Sequence, residues 1–167
     1  MRGDNDAPPP AARHLVYSAM RFSALLVSLG LVACATSGTT PPATFMQSTA
    51  ESRNTRVIDV RDGLTKTVAM RTMVEALGEH YTVEITDPRA GFAMTAWNAS
   101  LLRDGVPDLR YRTRFVAQFM GDDWRRLQLR HEANWAHGQE WDVGFDAAQL
   151  DSVGAEMRAK LGKRPEH

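Results

Sequence analysis

The chain has 167 residues, with 20 Lys and Arg balanced by 20 Asp and Glu, and this zero formal charge gives no overall electrostatic case for nucleic acid as a partner. Its one cysteine, Cys34, excludes an internal disulfide framework. No internal repeat is present, and the length leaves room for one hydrophobic core and no second domain.

Residues 1–19 contain Asp4, Asp6 and Pro8-Pro9-Pro10 and show no apolar periodicity; Met20-Arg21-Phe22 makes a more typical start. The apolar run 22–32 follows basic Arg13 and Arg21 and closes on small residues. About ten apolar residues are too few to cross a hydrocarbon core of roughly 30 Å as a helix. Charge, apolar core and small residues in that order are instead the layout of an export signal.

The end of that run, Leu31-Val32-Ala33-Cys34, resembles a bacterial lipobox. The resemblance implies cleavage before Cys34 and lipidation of its sulfur and amino group. Ala35 follows the cysteine where Asp would divert sorting, which implies the outer membrane, periplasmic face. Two or more acyl chains hold a protein stably at a membrane. The expected organisation is a leader and signal peptide over 1–33, a lipidated cysteine and flexible tether over 34–54, a single periplasmic domain over 55–162 and a disordered tail over 163–167. Ser, Thr, Pro and Ala dominate 35–54, where Phe45 and Met46 are the only sizeable apolar groups. Such a segment has a reach on the order of 25 Å.

Within the domain, Arg56-Val57-Ile58-Asp59-Val60 alternates and is β-branched, which predicts a strand. Leu64, Val68, Ala69, Met73, Ala76 and Leu77 then share one side of a helix, with Asp62 as N-cap and Gly78 as stop. Tyr81, Val83 and Ile85 fall on one face of a strand, and Asp87-Pro88-Arg89-Ala90-Gly91 turns the chain into a second strand over 92–97. Asp104-Gly105 and Pro107-Asp108 predict a long loop over 98–109. The next hairpin joins 110–120 to 124–135 through Gly121-Asp122-Asp123. Pairing residues whose numbers sum to 244 sets Ala117 against Leu127, Phe115 against Leu129, Thr113 against His131 and Tyr111 against Ala133, all on one face. A last strand over 140–145 meets a helix whose start is marked by the Asp146 and Gln149 capping-box spacing and a Phe145 to Leu150 staple, and whose stop is Gly162. The order implies an α+β domain: an antiparallel sheet of about five to six strands with two helices packed on one face.

The run Ala76-Leu77-Gly78, Tyr81-Thr82-Val83, Asp87 and Ala90-Gly91-Phe92 resembles the helix, Leu-Gly, strand, Asp, Gly, strand signature of helix-grip lipoprotein domains. Lipoprotein C of the outer-membrane barrel-assembly machine carries such domains. The resemblance covers about 56–162 in element order and implies a role in assembly without catalysis. Gly78-Glu79-His80 stands where that family has a Gly-aromatic pair, and no functional residue carries over.

Catalytic signatures are sparse. His131-Glu132 begins like a zinc-peptidase helix, but the second histidine would be residue 135, which is Trp135. A looser ligand set is His131, His137, Glu140 and Asp142. No Gly-Xaa-Ser-Xaa-Gly elbow occurs, and Ser100 and Ser152 have no neighbouring base in the sequence. No enzyme activity, metal or cofactor is expected.

The feature that points to a partner is an arginine face of Arg112, Arg114, Arg126 and Arg130. The 244 register sets Arg114 directly opposite Arg130, which costs some tenths of a kcal/mol unless an anion lies between them. Arg pairs bidentately with lipid headgroups, peptidoglycan carboxylates or an acidic protein surface. Glu132 and Glu84 equally suit a solvated outer face. Trp124 shares the arginine side beside the loop, whereas Trp135 has inward parity; Trp97 and Trp141 suit either core or interface. The expected function is that of an envelope lipoprotein with a non-enzymatic binding or assembly role, held to the membrane by its lipid and partnered by an envelope protein or peptidoglycan. The rivals are a metal- or small-ligand-binding module and a structural envelope lipoprotein without a specific partner.

Overall fold

The computed structural model describes residues 40–49 and 53–163. The leader, the signal segment, Cys34, the first part of the expected tether and the end of the tail lie outside the described residues. The elements run β1 (Phe45–Gln47), β2 (Thr55–Asp59), α1 (Lys66–Gly78), β3 (Val83–Asp87), β4 (Phe92–Thr95), β5 (Leu102–Arg103), β6 (Val106–Pro107), β7 (Tyr111–Met120), β8 (Arg126–His137), β9 (Glu140–Asp146) and α2 (Ala147–Leu161). This is the α+β fold that the element order implies. Among the described residues seven antiparallel strands form one sheet in the order β1-β9-β8-β7-β4-β3, with β2 paired to the first part of β8, and β5 and β6 form a separate two-stranded hairpin. No helix among the described residues is long and apolar enough to cross a membrane.

The sheet buries one face under the helices because its strands alternate. Phe115, Ala117 and Phe119 of β7 and Leu127 and Leu129 of β8 join Met73 and Leu77 of α1 and Leu150, Met157 and Leu161 of α2 in one core. Each such Leu, Met or Phe contributes about 1.5–3 kcal/mol by leaving water. Beyond the helices, a second cluster of Tyr111, Ala133 and Trp135 is packed by Phe45 and Leu101.

Helix signals are read most faithfully at α2. Asp146 caps it by accepting from the Gln149 amide at 3.0 Å, Phe145 and Leu150 are both buried, and Gly162 follows its last residue. The reciprocal half of the capping box is made by another group: the Asp146 amide donates to His131 Nδ1 at 2.9 Å. At α1 the cap is Thr65 and not Asp62, since the chain turns at Asp62 and Gly63 and enters the helix at Lys66; Thr65 Oγ1 accepts from the Val68 amide at 3.3 Å.

Four other expectations are corrected. The segment expected to be a tether contributes β1, whose Phe45, Met46 and Gln47 pair with Asp146, Phe145 and Gly144. Ile85 does not share the buried face with Tyr81 and Val83, because the pairing slips by one residue between Val83 and Ile85 and turns Ile85 out to 46% exposure. The loop over 98–109 contains β5 and β6, joined by Asp104 (φ 51) and Gly105 (φ 79), the two positive angles of a tight hairpin turn.

The fourth correction is the β7–β8 register. Its pairs sum to 246, so Ala117 faces Leu129, Phe115 faces His131 and Thr113 faces Ala133. A shift of two preserves which side each residue faces but changes every partner. Its cause is the connection, which runs to Arg125 because Trp124 leaves the strand at φ 54 and turns into the core. There it is 7% exposed and stacks on Phe119, with ring centroids 4.7 Å apart and planes within 2°.

Candidate binding face

The helix-free face of the sheet is assembled by the outward residues of β7 and β8 and their neighbours. Arg112 of β7 lies between two indoles, its Cζ 4.4 Å from the Trp141 ring centroid and 4.7 Å from that of Trp97. Arg114, two residues on and therefore on the same face, places its Cζ 4.5 Å from the Trp97 ring. Its Nε donates to Glu132 Oε2 at 2.6 Å, and the other oxygen of Glu132 pairs with Arg130 at 2.8 Å. The result is a continuous row, Trp141–Arg112–Trp97–Arg114–Glu132–Arg130, in which two of the three guanidinium groups, those of Arg114 and Arg130, share one carboxylate and the third, that of Arg112, meets only indoles. Exposed Val143 (59%) and Val57 (50%) stand on neighbouring strands.

Both indoles are supplied from outside the predicted hairpin. Trp141 comes from β9, opposite Ala136, and Trp97 follows β4, beside the bridge that joins Asn98 to Thr113. A cation over an indole contributes about 0.5–2 kcal/mol, more as water is removed. Among the described residues Arg112 Nε is buried without a hydrogen-bond partner, a cost of about 1–3 kcal/mol that the two indole faces help offset.

Of the residues read as an arginine face, Arg112, Arg114 and Arg130 come together as expected. The like-charge pair does not form: Arg114 is opposite Glu132, and Arg130 is opposite Val116. Arg126 stands at the far end of β8, opposite Met120 and Asp59, away from the row. Trp124 does not belong to this face at all, being core. Trp97 and Trp141 are the aromatic members, and their outward placement depends on the pairing of β4 with β7 for Trp97 and of β8 with β9 for Trp141, which hydropathy alone does not define.

On the opposite, helix-covered side lies a buried polar centre. Asp146 Oδ2 accepts from Tyr111 OH at 3.0 Å and Thr44 Oγ1 at 2.7 Å. His131 is fully buried against Phe115, with ring centroids 4.5 Å apart, and accepting from an amide at Nδ1 fixes it as the neutral Nε2–H tautomer. Burial pushes its pKa down to about 4, against the pull of the Asp146 carboxylate. Burial and the same carboxylate push the Tyr111 hydroxyl upward. Ser100 Oγ meets Gln149 Nε2 at 3.2 Å and Thr113 Oγ1 at 3.3 Å, so its neighbours are an amide and a hydroxyl in place of a base. These bonds hold β1, β7, β8 and the start of α2 together.

The ligand set His131, His137, Glu140 and Asp142 is not brought together. His131 faces the core, His137 and Glu140 pair across an exposed turn, and Asp142 pairs with Trp135. Among the described residues, Glu79, His80 and Glu156 do converge, with their ligand atoms within 4.8 Å of one another. Lys160 already sits among them, donating to Glu79 and lying 2.9 Å from Glu156, so the group ties α1 to α2 as an ion-pair network. No family model matches the chain, and no curated protein matches its sequence.

Proposed function

We propose that this chain is a lipid-anchored lipoprotein on the periplasmic face of the outer membrane, with a non-enzymatic binding or envelope-assembly role carried by the open sheet face. The carrying observation is the Trp141–Arg112–Trp97–Arg114 row. It is a rigid platform in which planar, delocalised cations are held in place by indoles, the arrangement suited to bidentate contact with carboxylates of an envelope protein or peptidoglycan. The lipobox-like Leu31-Val32-Ala33-Cys34 supports the address, and the lack of a second thiol leaves Cys34 available for acylation.

A photo-crosslinker at Val143 in intact cells tests the face. Capture of a discrete partner, lost in the R112Q/W141A double variant at unchanged protein level, is the expected result. Capture that is unchanged by the double variant overturns the assignment. The anchor is tested separately with Cys34→Ser, which is expected to move the protein from the membrane to the soluble fraction.

A second reading, a small-ligand module, is favoured by a cleft of about 350 Å³ between α1 and β3, lined by Met70, Val74, Pro88 and the stems of Lys66 and Arg71. An apolar fluorescent probe that binds the native chain but not Val74→Lys would support it.

A further inference from the structure

Leu102, Val106 and Leu109 are exposed to 62%, 66% and 79%, an unusual concentration of apolar surface in one short segment. Leu102 pairs with Pro107 and Arg103 with Val106, so Leu102 and Val106 lie on opposite faces of the β5–β6 hairpin. Leu102, Val106 and Pro107 are exposed, and of the four paired residues only Arg103 is drawn onto the body, so the hairpin forms a finger rooted through that one side chain.

The finger is firmly mounted. Asp108, 8% exposed at its base, accepts from Arg103 Nε at 2.6 Å, from Arg110 Nε at 2.9 Å and from Arg110 Nη2 at 2.8 Å. Both guanidinium groups also lie over the Trp135 ring, at 5.7 and 5.3 Å. The Asp108 amide closes back on the Leu101 carbonyl at 2.8 Å. Apolar side chains held outward in this manner are costly to a body surrounded by water on all sides.

The chain itself indicates what covers them. Arg103 Nη2 donates to the Thr40 carbonyl at 2.5 Å, so the amino-terminal end of the described domain is fixed at the finger's root. Six peptide steps separate Thr40 from Cys34, and at about 3.3–3.6 Å per residue they span at most about 22 Å in any conformation. A lipid on Cys34 therefore brings the bilayer surface within reach of this side of the domain.

We propose that the β5–β6 hairpin is a membrane-insertion finger that enters the leaflet holding the Cys34 lipid. It places Leu102, Val106 and Leu109 among acyl chains and the Arg103 and Arg110 heads at phosphate level, as amphipathic arginines prefer. The finger rests on the lipoprotein reading and adds a second, protein-borne contact to the lipid. One consequence is a fixed orientation of the domain on the surface.

The test uses the full processed chain, purified with its lipid, in vesicles of phosphatidylethanolamine and phosphatidylglycerol. An environment-sensitive fluorophore is attached to Leu102→Cys, and a control to Asp151→Cys on the exposed side of α2. Quenching by lipid-borne nitroxide severalfold stronger at position 102 than at 151, and weakened by Val106→Asn with Leu109→Asn, is the expected result. The mass of the amino-terminal peptide from the same preparation reports acylation. Equal quenching at the two positions with Cys34 acylated overturns the finger and leaves the anchor standing; an unacylated Cys34 overturns both. Circular dichroism melts of the labelled chains exclude loss of fold as a cause.

Discussion

His131 is the residue whose chemistry most directly couples the fold to pH. Its folded pKa of about 4 lies below the ordinary 6.5 because it is buried, so between these values the unfolded chain binds a proton that the folded chain refuses. The contribution of His131 to stability is thus complete above pH 6.5 and falls as pH drops toward 4, by up to about 3 kcal/mol. Urea midpoints at pH 7 and pH 5 measure this, and His131→Phe is expected to flatten the difference while costing about 1–3 kcal/mol at pH 7, since the Asp146 amide loses its acceptor. Asp108 acts at a lower pH. Hydrogen bonds from Arg110 and then Arg103 hold its carboxyl well below the usual range against the opposing effect of burial. Its stabilisation is present above the ordinary carboxylate pKa and is lost as pH falls below it. Asp108→Asn should cost about 1–3 kcal/mol at pH 7 and loosen the finger, read as faster amide exchange at Asp108 and Tyr111. The inward side of His131 follows from strand alternation, but its bond to Asp146 does not, because it joins β8 to the cap of a helix that follows a further strand.

The elements divide into those whose signals are local and those set at a distance. Both helices, the α2 cap and the facing of β7 and β8 are legible because period 3.6, period 2 and cap chemistry act within a few residues. Register is not, because it depends on the length of a connection, and Trp124 could extend β8 or leave it. Burial of the indole against Phe119 decided the matter, adding to the loop and moving every pair by two. Trp124→Ala is therefore expected to destabilise by about 3–5 kcal/mol in chemical denaturation. The strand β1 was equally hidden: Ser, Thr and Pro surround Phe45, and only β9 makes its pairing visible. Gly144 is what admits it, since a Cβ there would lie 2.2 Å from the Met46 carbonyl oxygen and 2.7 Å from the Phe45 ring. Gly144→Ala is expected to dislodge β1 while sparing the rest of the sheet, at a cost of about 1–3 kcal/mol. Faster hydrogen exchange at Ser48 and Ala147, whose amides bond to Val143 and Thr44, would report it.

At the scale of the whole molecule, the two sides of the sheet have different work. The covered side spends its apolar residues on a core, and the open side arranges Arg112, Arg114 and Arg130 around two indoles and one carboxylate. The arginines on that side were readable from parity alone, whereas the tryptophans that align them come from strands brought alongside only by folding. Their mutual support predicts that Trp97→Ala, which removes the ring shared by Arg112 and Arg114, weakens partner capture more than Arg126→Gln, which changes an equal surface charge outside the row. The β1–β9 pairing also bears on how the chain is made. Thr44 and Asp146 are 102 positions apart, and β2 likewise waits for β8. A polypeptide emerging amino end first, from a ribosome or through a translocation pore, cannot close its sheet until its final third has appeared. Late closure of this kind leaves the growing chain open along its length and defers compaction until its last strands have been supplied.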